Sequence, residues 1–346
     1  MDTMQALIFH GPGNIRVEER PVPAIGPGEA LLKVGVASVC ASDLRVFKGE
    51  KKAKLGVIPG HEMAGVIHQV GEGVDEVAPG DRVIVCPIIA CGECYFCLIG
   101  RRNRCLKRVT LGYDEDGGFA NYVRIPASLV HLGHVIKIDT EMDYELAAMT
   151  EPFACVLNSL ESCRVQPGGA MVIIGAGPMG LMHLVLGRAL GAARIIISDP
   201  VEARLKAAAE LGATVCINPE KHDLIKETLA MTSGLGADAG FLSVGNVQPV
   251  ADGLGAVRKQ GYFNFFAGFP PGSRLDIDAN RIHYDELFLT GTQNATTDHY
   301  VRAARLLSVL PDARKLITHR YGPSDANKAY ESRLGMDGLK AIVRYH

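Results

Sequence analysis

The segment Val172-Ile173-Ile174-Gly175-Ala176-Gly177-Pro178-Met179-Gly180 constrains the fold of this chain more than any other. A β-branched apolar run enters a G-x-G-x-x-G turn, and a helix-competent stretch, Leu181 to Leu190, leaves it. A second apolar run, Arg194-Ile195-Ile196-Ile197-Ser198, ends at Asp199. Strand, glycine turn, helix and strand make the βαβ unit of a dinucleotide-binding sheet. The first glycine permits the tight turn, the second lets the backbone approach a pyrophosphate, and the pyrophosphate rests on the helix N-terminus. Asp199 stands about twenty residues past the turn, where a carboxylate bonds the ribose 2′-hydroxyl of NAD and repels the extra phosphate of NADP. Helical patterns at Val201 to Leu211 and His222 to Met231 continue the alternation, so residues 155–290 read as a doubly wound parallel sheet.

Four cysteines, Cys91, Cys94, Cys97 and Cys105, follow the spacing C-x2-C-x2-C-x7-C. Four thiolates on one short lobe match a closed, tetrahedral, structural zinc site. Two disulfides are the alternative, and they require an oxidising compartment. A closed site has no position for substrate, so any reaction belongs elsewhere. Cys40, His61 and Glu62 supply that other place: catalytic zinc takes three mixed protein ligands and keeps one position open. Ser42, two residues past Cys40, carries a hydroxyl that can stand beside a metal-bound oxygen. Singly these residues mean little, since a lone buried cysteine is usually packing.

The rest of the composition narrows the field. A chain of 346 residues is long for a single core, so two domains are expected. Residues 1–154, with short apolar runs such as Ala30 to Val36, Ala64 to Val70 and Arg82 to Val85, read as mostly β. A net charge of −2 offers no basic footprint for nucleic acid. The start, Met1-Asp2-Thr3-Met4-Gln5, has no signal-peptide character, and no apolar run reaches membrane-spanning length. Nine cysteines without an export signal point to a reducing cytoplasm, with Cys86, Cys155, Cys163 and Cys216 as core residues.

Taken together, these motifs resemble the zinc-dependent medium-chain dehydrogenases of the alcohol, sorbitol and threonine dehydrogenase group, from Ala6 to about Ile342. The resemblance is carried by Gly60-His61-Glu62-x-x-Gly65 continuing to Gly71 and Val74, the four-cysteine lobe, Pro79-Gly80-Asp81-Arg82-Val83, Gly117-Gly118-Phe119-Ala120, Glu151-Pro152 and the glycine fingerprint. It implies an α/β two-domain architecture. A GroES-like catalytic domain would cover 1–154, carry a zinc lobe at 86–108 and be completed by 291–346; a Rossmann NAD-binding domain would cover 155–290. It implies two zinc ions per chain and NAD, a small-molecule alcohol substrate, and a homodimer or homotetramer.

The resemblance also distributes roles. Cys40, His61 and a carboxylate, Glu62 or Glu151, would hold the catalytic zinc, and Ser42 would relay the proton. Gly175, Gly177, Pro178, Met179, Gly180, Asp199, Arg204, Val244, Ala267, Gly268 and Thr292 would line the cofactor, with Arg204 beside the adenine. Glu151 stands where ethanol-type enzymes carry cysteine, and a harder, oxygen-rich site suits polyhydroxylated substrates, placing the chain nearest the sorbitol-like branch. Glu151-Pro152 also fits the start of a helix, where a negative charge is favourable for purely structural reasons.

A secondary alcohol of a polyol, sugar alcohol or (amino)cyclitol is the expected substrate. Threonine or a sugar phosphate is the alternative within the group, and a non-catalytic nucleotide- or quinone-binding relative the alternative outside it. Two departures stand out. Ala41 replaces the glycine usual after the cysteine, and Arg45 stands where many members have a proton-relay histidine. An arginine cannot act as that base. Either the relay leaves by another path or Arg45 contacts the cofactor or an anionic substrate group; the structural alternative is that it pairs with a carboxylate such as Glu50.

Overall fold

A computed structural model describes residues 2–335 and 337–345; Met1, Met336 and His346 lie outside the described residues. By its internal contacts the chain divides into two units, Met1–Ala154 with Ala295–His346, and Cys155–Asn294.

In the second unit the run at 170–174 becomes a strand, Ala170–Ile174, buried at every position. It can be apolar throughout because it is central, with parallel neighbours on both sides: Val172 pairs with Ile196 of Arg194–Ser198 and with Gly240 of Ala237–Leu242. The six strands run, in space, Val215–Ile217, Arg194–Ser198, Ala170–Ile174, Ala237–Leu242, Val257–Phe265 and Phe288–Gly291. All pairings are parallel. Counted along the unit this is the order 3-2-1-4-5-6 of the dinucleotide-binding sheet, and it reverses beside the strand that carries the glycine turn. The helices expected near 181–190, 201–211 and 222–231 are Pro178–Ala189, Glu202–Glu210 and Leu224–Met231.

The first unit is built on a seven-stranded, mostly antiparallel sheet around the strand Ala30–Ser38. That strand pairs with Glu62–Val70, with Tyr122–Ile125 and with the last strand, Lys340–Arg344. Its core gathers Leu7, Ile8, Leu32, Val34, Met63, Ile67, Phe119, Tyr330 and Val343. The tail folds into a helix, Thr297–Ser308, and then supplies the sheet's edge strand, Ile317–Tyr321, and its inner neighbour, Lys340–Arg344. Cys86 and Cys163 are buried, while Cys155 and Cys216 are half-buried. Among the described residues no helix is long and apolar enough to cross a membrane.

Candidate active site and metal centres

Strand register brings the first candidate site together. Ser38, the last residue of its strand, lies opposite Glu62, the first residue of the neighbouring antiparallel strand. Two residues past Ser38 the chain reaches Cys40, and one residue before Glu62 stands His61. Cys40, His61 and Glu62 thus converge with one ligand atom each, all within 4.8 Å of one another. Gly60 makes the approach to His61 possible. Its φ is +97°, and a Cβ there would lie 2.5 Å from the Phe119 ring.

Asp43 fixes two of these residues at once. It sits at the third position of the helix Ala41–Phe47, and one carboxylate oxygen accepts the Cys40 N–H at 2.9 Å, closing a capping box. The other oxygen faces His61 Nδ1 at 3.1 Å in a close charge contact, with both side chains buried. With Nδ1 turned to Asp43, Nε2 is the nitrogen left toward Ser42, whose Oγ is 3.5 Å away. Burial alone would depress the His61 pKa. The Asp43 and Cys40 charges outweigh it and hold the imidazole well above its ordinary value. A cation held by His61 would take the place of that proton, so a Cys-His-carboxylate set with this electrostatic pull suits zinc.

Ser42 Oγ lies 3.2 Å from Cys40 Sγ and 2.6 Å from the Tyr113 hydroxyl. Glu62 is fully buried, and one oxygen is 2.5 Å from the ammonium of Lys340, which also donates to the Val39 carbonyl at 2.9 Å. The other Glu62 oxygen has no protein partner. Glu151 is half-buried in the first turn of the helix Thr150–Ser162, outside the converging group, and its charge raises the pKa of Tyr113, behind the larger effects of burial, Asp43 and Cys40. Arg45 pairs with Glu50 at 3.4 Å, one of the two arrangements open from the sequence. Asp43, Tyr113 and Lys340 were not singled out by sequence reading. The spacing Cys40-x-x-Asp43 held a legible cap signal, whereas nothing local marks Lys340.

The four cysteines of the lobe form the second centre. Their sulfurs are 3.5 Å apart for Cys94–Cys97 and Cys91–Cys105, and 3.9 Å for Cys91–Cys97. Tetrahedral zinc with bonds of about 2.3 Å holds its sulfurs about 3.8 Å apart. The cysteines are free, not disulfide-bonded. Backbone N–H groups of Cys91, Cys94 and Lys107 point at sulfurs of Cys105, Cys91 and Cys105. Burial pushes the Cys97 thiol up to about 12, so a cation is what would hold it as a thiolate.

In the second unit Gly175 has φ +100°, and a Cβ on Gly180 would lie 1.7 Å from the Gly175 carbonyl oxygen. At Gly177 a Cβ would meet nothing within 4 Å, which leaves open space over the start of the helix Pro178–Ala189. That helix has no side-chain cap at Gly177 and opens on Pro178, so the next N–H groups, from Met179 and Gly180, can receive an anion. Asp199 is buried and accepts the N–H groups of Ala176 at 2.8 Å and Val201 at 2.9 Å, with Arg204 at 3.6 Å. Val244 packs on Gly175, Ala267 donates its N–H to Leu242, and the Gly268 carbonyl approaches Gly245. Thr292 donates to Asn264 at 3.4 Å. All four follow carboxyl ends of parallel strands, the end at which such sheets bind ligands.

Residues 26–135 match the family model "Alcohol dehydrogenase GroES-like domain", and residues 178–308 match "Zinc-binding dehydrogenase". A sorbitol dehydrogenase of Bacillus subtilis is 32% identical over 98% of this chain and 97% of its own. An L-threonine 3-dehydrogenase of the same organism is 33% identical over 94% of each. The solved structure of an alcohol dehydrogenase of Thermotoga maritima superposes with a TM-score of 0.93, at 26% identity, over 99% of this chain and 100% of its own.

Proposed function

The chain belongs to the zinc-binding dehydrogenase family and is a zinc-type dehydrogenase acting on alcohols; on that premise we propose that it oxidises a secondary alcohol of a polyol, sugar alcohol or (amino)cyclitol to a ketone, with NAD as hydride acceptor. The observation that carries this reading is the convergence of Cys40, His61 and Glu62 with Ser42 beside them. The two cofactors, when bound, supply Lewis-acid polarisation of the alcohol oxygen and acceptance of the hydride. Cys40 and His61 would hold the metal with Glu62 or Glu151, and Cys91, Cys94, Cys97 and Cys105 would hold the structural ion.

The protein's own groups do the remaining work. Asp43 keeps His61 in one orientation. Ser42 Oγ is placed to accept a hydrogen bond from the substrate hydroxyl, and the Tyr113 hydroxyl at 2.6 Å aims the serine. The Lys340 ammonium compensates the buried Glu62 charge through one oxygen and leaves the other without a protein partner. Asp199 would receive the ribose hydroxyls and disfavour NADP by repulsion. A homodimer or homotetramer is the expected assembly.

The test is metal analysis with an NAD-reduction screen over sorbitol, xylitol, myo-inositol, aminocyclitols, threonine and sugar-alcohol phosphates. About two zinc ions per chain and turnover on a polyol are expected. A single ion confined to the lobe, with no reduction of NAD on any alcohol, refutes the reading. Preference for threonine would replace the polyol by the second substrate reading, which the similarity to L-threonine 3-dehydrogenases favours. Faster turnover with NADP would overturn the role of Asp199.

A further inference from the structure

Across the Tyr113 ring from Ser42 stands a positive charge that the reaction just described does not use. Between Arg45 and Lys54 the chain carries five cations, Arg45, Lys48, Lys51, Lys52 and Lys54, and one carboxylate, Glu50. Glu50 is taken by Arg45. Lys51 is exposed as a residue, yet its ammonium lies 3.4 Å over the centre of the Tyr113 ring, and the hydroxyl of that same ring bonds Ser42 at 2.6 Å. Lys51 forms no ion pair among the described residues. Arg108 and Arg45 are close enough to repel it; together with desolvation, the larger effect, they pull its pKa below the ordinary lysine value despite the opposing pull of Cys40 and Asp43.

The position of this ammonium is built. The Lys51 N–H donates to the Arg45 carbonyl at 3.2 Å, and the Lys54 N–H donates to the Tyr113 carbonyl at 2.8 Å, so the loop is tied to the helix Ala41–Phe47 at the lysine and to the Tyr113 backbone just beyond it. A cation held on an aromatic face loses little further freedom on binding a ligand. Its unmet demand is for negative charge, which would also relieve the repulsion from Arg108 and Arg45. A neutral polyol meets none of that demand.

We propose that Lys51, supported by Arg108, binds an oxyanion group of the substrate, a carboxylate or a phosphate, and so makes this enzyme selective for anionic alcohols over neutral polyols. This rests on the dehydrogenase reading and sharpens its substrate class. The residue that serves the anion is Lys51, and Arg45, spent on Glu50, is a support of the loop.

Zinc-loaded protein is assayed with NAD on two matched pairs: sorbitol against sorbitol 6-phosphate, and 2,3-butanediol against 3-hydroxybutyrate. In parallel, calorimetry measures binding of the two anionic compounds to wild type and to Lys51→Met. At least one anionic member is expected to exceed its neutral partner in kcat/KM by roughly ten- to a hundredfold, the range of one charge-assisted contact. Lys51→Met is expected to remove that margin through KM and to weaken anion binding to match, and Lys51→Arg to retain most of it. The pair that responds tells carboxylate from phosphate. Preference for the neutral members, or equal losses for both members in Lys51→Met, overturns the proposal, as does a rise confined to the KM of NAD. If wild type oxidises nothing yet binds an anion through Lys51, the dehydrogenase reading fails and the anion site holds; neither turnover nor binding overturns both.

Discussion

The four-cysteine lobe and the Cys40–His61 centre lie in the same unit and both use cysteine, but they are assembled in opposite ways. The lobe draws its four sulfurs from fifteen consecutive residues, and its backbone N–H groups turn back on those sulfurs. The other centre depends on a helix cap at Cys40, a strand start at Glu62, the Tyr113 loop and a lysine 278 positions beyond Glu62. A local site can be formed by its own segment together with the ion. A distributed site exists only after the sheet is in register, and its buried charges must be compensated by residues from several elements. Closure and stability go with the first arrangement; an open position, held in place by a finished fold, goes with the second.

The largest expected effect sets the two centres directly against each other. Cys40→Ser should lower turnover roughly a thousandfold or more, the several kcal/mol of a Lewis acid at about 1.4 kcal/mol per tenfold, while thermal unfolding stays near wild type. Cys97→Ser should do the converse: it removes the lobe's metal and with it folding free energy, so the melting temperature drops. Each variant should retain about one zinc per chain, from the other centre. An unstable Cys40→Ser and a stable but inactive Cys97→Ser would invert the division of labour.

Lys340→Met comes next. Removing one partner of a buried pair leaves an uncompensated charge and costs about 3–5 kcal/mol. The loss should appear in denaturant unfolding of the metal-free protein and shrink when zinc is bound, because a cation held by Cys40 and His61 would offset the Glu62 charge. An equal loss with and without zinc would show that Glu62 does not sense the metal. Nothing comparable is expected from a charge change at the rim of the lobe, such as Lys107→Met, whose partner Glu93 is exposed.

These contrasts follow what was legible in the sequence. The glycine turn, the parallel sheet and the cysteine lobe were readable because their determinants are contiguous: a periodic apolar run, a turn that only glycine tolerates, a ligand spacing. Cys40, His61 and Glu62 were readable as ligand types, and the register that joins Ser38 to Glu62 explains their meeting. Lys340 was not readable, because a lysine in Leu339-Lys340-Ala341-Ile342-Val343 looks like an ordinary interruption of an edge strand until the strand is paired. Tyr113 was equally silent, since its role comes from one loop folding over another. Arg45 left two readings open, and the choice between them depended on where the chain turned after Phe47, which no local pattern dictates.

A smaller effect is expected from Asp43→Asn. The amide keeps the shape and can still accept the Cys40 N–H, but it takes away the charge that faces His61. Substituting an outer partner of this kind typically weakens metal binding ten- to a hundredfold. Zinc at the Cys40 centre should then be stripped by a chelator at correspondingly lower concentration, and the lobe should keep its ion throughout. Parallel loss from both centres would mean that Asp43 supports the unit as a whole and has no specific hold on His61.

The smallest effect is a pH dependence confined to the distributed centre. The last strand, which delivers Lys340, also carries Arg344, and Arg344 with Arg320 grips the buried carboxylate of Glu145. Burial alone would raise the Glu145 pKa, but the two guanidinium groups more than offset it and hold the carboxyl below its ordinary value. The sign is that of a depressed acid. The clamp contributes fully above the unfolded-state value of about 4.3 and is lost as pH falls through the lower folded-state value. Wild type should therefore lose stability on acidification more steeply than Glu145→Gln, which starts lower and has no charge left to titrate. Hydrogen exchange read segment by segment sharpens the comparison: below about pH 4, amides of Lys340–Arg344 should lose protection relative to neutral pH in wild type, and less so in Glu145→Gln. The lobe's amides between Cys91 and Cys105, which touch none of these groups, should follow their own metal, and a Glu145→Gln difference appearing there as strongly as in the last strand would mean that the two centres are not energetically separate.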